Sequence, residues 1–207
     1  MAQYFRIHPA NPQKRLINQA VMILNDGGVV IYPTDSCYAL GCRLGYKDAL
    51  ERIRRIRNLD ERHNLTLLCK DLSDIGTYAM VHNAAYRLMK SLTPGPYTFL
   101  LKATRDVPRR LQHPKRKTIG VRVPDNVITL AILKEMKEPL LSTSLILPEE
   151  GSPLTDPGQI NAELGKTVDL IIDGGYGGLE LTTVVDLVDN EPLIVRAGKG
   201  NLAAIGT

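Results

Sequence analysis

Residues 51–58 read Glu-Arg-Ile-Arg-Arg-Ile-Arg-Asn, which places Arg52, Arg54, Arg55 and Arg57 within six positions. A guanidinium group presents a planar fork of donors that fits two oxygens of a phosphate at once. Ala49, Ile53 and Ile56 fall at i, i+4 and i+7, so a helix here buries that stripe and carries the arginines on its flanks near its C-terminal end. Cations there also complement the negative end of the helix dipole, and Glu51 is placed to pair with Arg54 or Arg55. One or two cations would satisfy the dipole; four point toward a phosphate.

Two more arginines sit at strand ends. Arg122 alternates with Val121 and Val123 before Pro124, and Arg196 follows Leu193-Ile194-Val195 and precedes Ala197-Gly198-Lys199-Gly200. Each either snorkels from the edge of the core or offers a rigidly held fork to an anion. Hydroxyls gather in Thr34-Asp35-Ser36, Ser142-Thr143-Ser144 and Thr182-Thr183. Any one is an ordinary turn or cap, but several together beyond the strands of an open sheet make an anion cradle.

Other chemistries find less support. There is no Walker loop and no Gly-x-Gly-x-x-Gly, so a nucleotide must be held in another way. His8, His63, His82 and His113 have no recognisable partners, and no Gly-x-Ser-x-Gly elbow exists. Cys37 reads as a buried thiol rather than a nucleophile. From Arg105 to Lys117 the chain carries Arg105, Arg109, Arg110, Lys115, Arg116 and Lys117 against the single acid Asp106. That run is either a solvated loop or a nucleic-acid contact.

The elements that must position these residues follow from the apolar pattern. Asn11-Pro12 predicts a helix start, with Ile17, Ala20, Val21 and Leu24 as its buried stripe and Gly27-Gly28 as its stop. Strands are expected at 28–32, 37–42, 65–69, 97–102, 118–123, 140–144, 168–172, 183–187 and 192–195. Helices are expected at 47–56, within 74–91, after Asn126 and at 159–164, and polar loops at 58–64 and 148–158. The loop following Ser144 brings Glu149 and Glu150 toward the hydroxyl cluster. Strands alternating with helices, some joined by short connections, imply a mixed α/β sheet.

With 207 residues, 43% of them hydrophobic, the chain can bury one sizeable core, and it reads as a single domain over 1–207. No Trp and two Phe mean that this core is aliphatic. Three cysteines, none in a CxxC pair, suit reduced thiols in the cytoplasm rather than disulfides or a zinc site. No apolar run approaches the roughly 18 residues of a membrane span, and no leader pattern opens the chain. A net charge of +4, concentrated in the two arginine-rich segments, favours a polyanionic partner.

Tyr-Pro-Thr-Asp-Ser-Cys-Tyr-Ala-Leu-Gly at 32–41, Arg55-Ile-Arg57, Thr-Pro-Gly-Pro-Tyr-Thr at 93–98, Gly-Val-Arg-Val-Pro-Asp at 120–125, Ser142-Thr-Ser144, Thr-Thr-Val-Val-Asp at 182–186 and Val-Arg-Ala-Gly at 195–198 occur in this order. Together they resemble the YrdC/YciO family, most of all its YciO branch, over roughly Gly27 to Gly198. The resemblance implies a twisted mixed parallel and antiparallel sheet flanked by helices, with a concave basic face. It implies ATP as substrate or ligand, accompanied by Mg²⁺ and with no resident metal or organic cofactor. Further implied partners are double-stranded RNA or tRNA, L-threonine and bicarbonate. The family's synthases join threonine, bicarbonate and ATP into threonylcarbamoyl-adenylate for tRNA modification.

Carried over by motif, Arg55, Arg57, Ser142, Ser144 and Arg196 would address the nucleotide and its phosphates. Thr34, Ser36, Thr98 and Arg122 would surround the amino acid. The nucleic acid would fall to Arg52, Arg54, Arg109, Arg110, Lys115, Arg116 and Lys117. On a continuous helix Arg55 and Arg57 diverge by about 200°, so sharing one phosphate requires the helix to end near Ile56, with Asn58 as its cap. Synthases carry Lys-x-Arg and Ser-x-Asn where this chain has Arg55-Ile-Arg57 and Ser142-Thr-Ser144, which implies weak synthesis at most. A non-catalytic RNA-binding module and an enzyme for another acyl or carbamoyl phosphate remain open alternatives.

Overall fold

The computed structural model describes residues 1–60, 63, 65–189 and 191–206. The chain opens with β1 (Gln3–Arg6), α1 (Lys14–Asn25), β2 (Val30–Tyr32), β3 (Ala39–Arg43) and α2 (Lys47–Arg57). Next come β4 (Thr66–Leu68), α3 (Leu72–Tyr78), β5 (Ala79–Met80), α4 (Asn83–Leu92), β6 (Tyr97–Ala103) and β7 (Thr118–Arg122). It finishes with α5 (Val127–Met136), β8 (Leu140–Ser144), α6 (Pro157–Leu164), β9 (Leu170–Asp173), β10 (Thr183–Asp186) and β11 (Leu193–Arg196).

One mixed sheet runs through these elements in the order β1-β9-β2-β3-β8-β4-β7-β6-β10-β11, with β5 paired to β6. The expected mixed α/β class is therefore the observed one. Parallel pairs (β1 with β9, β4 with β7, β6 with β10) alternate with antiparallel ones (β2 with β3, β3 with β8, β7 with β6). Because side chains alternate across a strand, each strand supplies both faces. One face carries Ile31, Leu40, Leu141, Leu67, Val121 and Phe99 into a core shared with α2, α3, α4 and α6. On the other face Val30, Tyr32, Leu140, Leu170 and Ile172 pack beneath α1 and α5. Those two helices roof only the β9-β2-β3-β8 part. Beyond them the sheet face lies open, and that opening becomes the site.

Several expectations shift for local reasons. The first helix starts at Lys14 rather than Pro12, because the His8 ring accepts the N–H groups of Ala10 and Asn11 and holds that stretch as a turn. The region 74–91 is two helices broken by β5. Asp71 caps the first by accepting from the Asp74 N–H, and the His82 ring caps the second through the Ala85 N–H. The short strands β1 and β5 were not anticipated, since neither alternates clearly. Glu61, Arg62 and Asn64 of the expected polar loop lie outside the described residues.

A glycine-rich connection, residues 174–182, is drawn against the turn that holds Thr34 to Ser36. Tyr38 pins it by donating to Gly175 O at 2.7 Å while accepting from the Gly174 N–H. At Gly178 an added Cβ would stand 2.0 Å from the Ser36 carbonyl oxygen, a backbone atom that cannot step aside. Gly178→Ala is thus expected to destabilise the fold by about 1–3 kcal/mol, read as a lower urea midpoint. An unchanged midpoint would mean that the connection is free to move off the turn.

Candidate nucleotide and amino-acid site

The open half of the sheet face forms a cavity of about 510 Å³. Registers explain which side chains reach it. Ser142 on β8 faces Gly41 and Thr66, and Leu68 lies between Leu140 and Arg122. Val184 lies between Thr98 and Arg196. From the β2-β3 turn come Thr34, Ser36 and Cys37, and from the strands Thr66, Thr98, Arg122, Ser142, Ser144 and Arg196. Arg57 and His63 close one side, and Leu181 and Thr182 another.

Eight of the nine side chains expected to meet nucleotide or amino acid therefore line one cavity, although they come from six separate segments. The ninth, Arg55, does not line it and is exposed. Helix α2 continues through Arg57 instead of ending at Ile56. Asn58 takes the left-handed conformation at φ 48°, its N–H bonds to Arg55 O, and Leu59 N–H bonds to Arg54 O. This pair of bonds is a Schellman closure, so Asn58 does cap the helix, but one residue later than a shared phosphate required. Arg55 and Arg57 consequently stay on one helix and diverge.

Three arginines enter the cavity in different states. Arg122, 7% exposed, pairs with Asp35, 11% exposed, and donates to Ser36 Oγ at 3.2 Å. Arg196 donates to Thr182 O at 2.9 and 3.1 Å and to Thr182 Oγ1 at 3.1 Å, all neutral acceptors. Arg57 has a buried Nε with no hydrogen-bond partner among the described residues. Burial draws both the Arg57 and the Arg196 guanidinium below the ordinary arginine range, against a smaller opposing effect of Cys37. Neither guanidinium has a carboxylate partner among the described residues. Two further buried atoms at the cavity, Asp35 Oδ2 and Arg122 Nε, also lack partners among the described residues.

His63 was not singled out in the sequence, where nothing distinguishes it from the other histidines. It stands on the cavity wall, and burial first, then Arg57, hold its pKa below the usual imidazole value. Burial likewise pushes the Cys37 thiol up, despite the Ser144 hydroxyl, so it stays protonated at neutral pH. Lys199, also unanticipated, donates to Asp35 O. Glu149 and Glu150 are exposed and do not line the cavity, which the connection after Ser144 follows only as far as Ile146.

The expected nucleic-acid residues divide. Arg52 holds Asp169 at 2.8 Å and Thr167 O, tying α2 to the end of α6. Arg54 pairs with Glu51 and donates to Arg110 O, Arg110 donates to Gly45 O, Arg116 pairs with Asp186, and Lys117 donates to Pro114 O. All five are thus engaged within the protein. Arg109 and Lys115 are exposed, with no side-chain bond among the described residues.

An open mixed sheet with a hydroxyl-rich, arginine-lined cavity on its uncovered face defines the architecture, a mixed α/β protein with a polar, cationic pocket. Residues 22–198 match the profile of the Sua5/YciO/YrdC family, described as telomere recombination, and the chain belongs to that family. It is 58% identical over 202 residues to the uncharacterized protein YciO of Escherichia coli strain K12, covering 98% of each. The E. coli YciO crystal structure superposes with a TM-score of 0.96 at 57% identity, over 99% of this chain and 100% of the other. A threonylcarbamoyl-AMP synthase of Chromobacterium violaceum is 37% identical over 137 residues, 66% of this chain and 70% of the other. The P. abyssi Sua5 structure complexed with L-threonine has a TM-score of 0.85 at 24% identity, over 96% of this chain and 57% of the other, and establishes likeness of fold. No helix among the described residues is long and apolar enough to cross a membrane.

Proposed function

We propose that the cavity binds ATP, with its phosphates against Arg57 and Arg196, and an amino acid beside Arg122, and that it condenses them slowly with bicarbonate to an adenylate. The observation that carries this reading is that Arg57 and Arg196 line the cavity without a carboxylate partner among the described residues, beside a third arginine, Arg122, that has one. A threonylcarbamoyl-AMP joins a carbamate of threonine to AMP, so a site that makes it needs an anion-binding half and an amino-acid half. Here Arg57, Arg196, Ser142 and Ser144 form the first, and Thr34, Ser36, Thr98 and Arg122 the second. The chemistry asks for positioning and for stabilisation of charge on the α-phosphate, which preorganised guanidinium groups supply in a partly dry cavity. Among the described residues no three His, Cys, Asp or Glu side chains cluster, so Mg²⁺ would arrive on the triphosphate.

Arg55 and Ser144 stand where synthases have lysine and asparagine. Ser144 lacks the reach and the paired donor and acceptor of an amide, which favours binding over turnover. Pyrophosphate release from ATP tests the reading. It is expected to be slow and to require both threonine and bicarbonate, on a protein that binds ATP. Failure to bind ATP would overturn the reading. Binding without threonine-dependent release would leave a binding module or an enzyme for another acyl or carbamoyl phosphate.

RNA binding is favoured by the exposed Arg109 and Lys115. Replacing both by alanine is expected to weaken double-stranded RNA binding and to flatten its salt dependence by about two units of slope. ATP affinity should not change. A parallel loss of ATP binding would place RNA and nucleotide in one site.

A further inference from the structure

The hydroxyls on the cavity wall do not have free hydrogen-bond directions. Tyr32 is fully buried, and its ring crosses β3 at Gly41 to bring Oη within 2.7 Å of Ser142 Oγ on β8. The crossing depends on glycine, because a Cβ at position 41 would stand 2.8 Å from Tyr32 Cε1 and 2.9 Å from its Oη. Ser142 is the one hydrogen-bond partner of this phenol among the described residues, and burial keeps the phenol protonated at any physiological pH. A buried O–H without an acceptor is costly, whereas a serine hydroxyl on a cavity wall can bond to whatever fills the cavity. The tyrosine proton therefore goes to Ser142 Oγ.

We propose that Tyr32 is a positioning residue that fixes Ser142 as a hydrogen-bond donor to an anion in the cavity. With one lone pair of Oγ taken by the phenol, the serine proton turns outward, toward the space shared with Arg57 and Arg196. Another hydroxyl of the lining, Ser36, has the reverse polarity. Thr34 Oγ1 donates to Cys37 O at 2.6 Å and accepts from the Ser36 N–H, so in its 3.1 Å contact with Ser36 the serine must be the donor. Ser36 Oγ also accepts from Arg122 and keeps only lone-pair capacity for a ligand. Ser142 thus offers a donor and Ser36 an acceptor, so of the two hydroxyls an anion is directed to Ser142.

This inference rests on the phosphate reading of the cavity and is tested by calorimetry with ATP on wild type, Tyr32→Phe, Ser142→Ala and the double variant. Tyr32→Phe is expected to weaken ATP about three- to tenfold, the size of one neutral hydrogen bond, because Ser142 becomes a free rotor. Ser142→Ala should lose at least as much, and the double variant no more than Ser142→Ala, since without Ser142 the phenol has nothing to orient. Additive losses would make Tyr32 a merely structural support and overturn the proposal, as would an unchanged affinity in Tyr32→Phe. A wild type that does not bind ATP overturns both readings, whereas unchanged binding in Tyr32→Phe overturns only this one. An independent measurement needs no variant of Tyr32: its hydroxyl proton resonance in the wild type is expected to move downfield when ATP polarises the Ser142 bond. A resonance unmoved at saturating ATP would count against the proposal.

Discussion

Replacing Arg57 and Arg196 together by alanine is expected to lower ATP affinity by about two to four orders of magnitude. A hydrogen bond to a charged group contributes about 1.5–3 kcal/mol, and each guanidinium would lose at least one such bond to a phosphate. Stability should move little. Arg57 has a buried Nε without a partner, so its removal relieves a desolvated cation. Arg196 contributes bonds to Thr182, and its loss is expected to cost about 1 kcal/mol. Titration calorimetry beside thermal melting separates the two effects. Arg55→Ala, exposed and off the cavity, serves as a control for loss of a surface charge, expected to shift affinity less than about threefold. Unaltered ATP binding in the double variant, with a large fall in melting temperature, would return both arginines to a structural role.

The second large effect falls on Asp35. Its carboxylate is the partner of Arg122, and both groups are almost wholly buried. Removing one member of a buried pair leaves the other charge uncompensated, so Asp35→Ala is expected to destabilise the protein by about 3–5 kcal/mol. Asp35→Ala combined with Arg122→Met should recover most of that loss, because the stranded cation is gone. Urea unfolding of the two single variants and the double decides the matter. Equal losses in Asp35→Ala and in the double would show that Asp35 acts through the Thr34 to Ser36 turn rather than through Arg122. The amino-acid half would then require a different account of its charge balance.

The strand arginines were legible because their setting is local: Arg122 alternates with valines, and Arg196 ends an apolar run. The hydroxyl clusters were legible for the same reason, since strand ends followed by Pro or Gly announce turns. His63 carried no such signal. It lines the cavity by its place in the tertiary structure, which no periodicity encodes. Nor did the sequence show that Arg52, Arg54, Arg110, Arg116 and Lys117 also hold partners within the protein. Their partners, Asp169, Gly45 O and Asp186 among them, lie 65 to 117 residues away along the chain or come from neighbouring carbonyls, and a charge run alone does not show which cations are already engaged.

By itself, the sequence determined the class of fold, the order of most strands and helices, and the residue types gathered at the strand ends. Those features depend on hydrophobic period, caps and turn residues, all of which act over a few positions. The arginine segment likewise raised the expectation of a phosphate site. Only the tertiary structure decided which of its arginines lines the cavity. Sheet order brings β8, β4, β7, β6 and β10 side by side, and the roof of α1 and α5 covers only the near end of that row. Arg57 then lines the cavity half-buried while Arg55 stays exposed, because the helix runs on through Arg57 and two residues of helix turn their side chains about 200° apart.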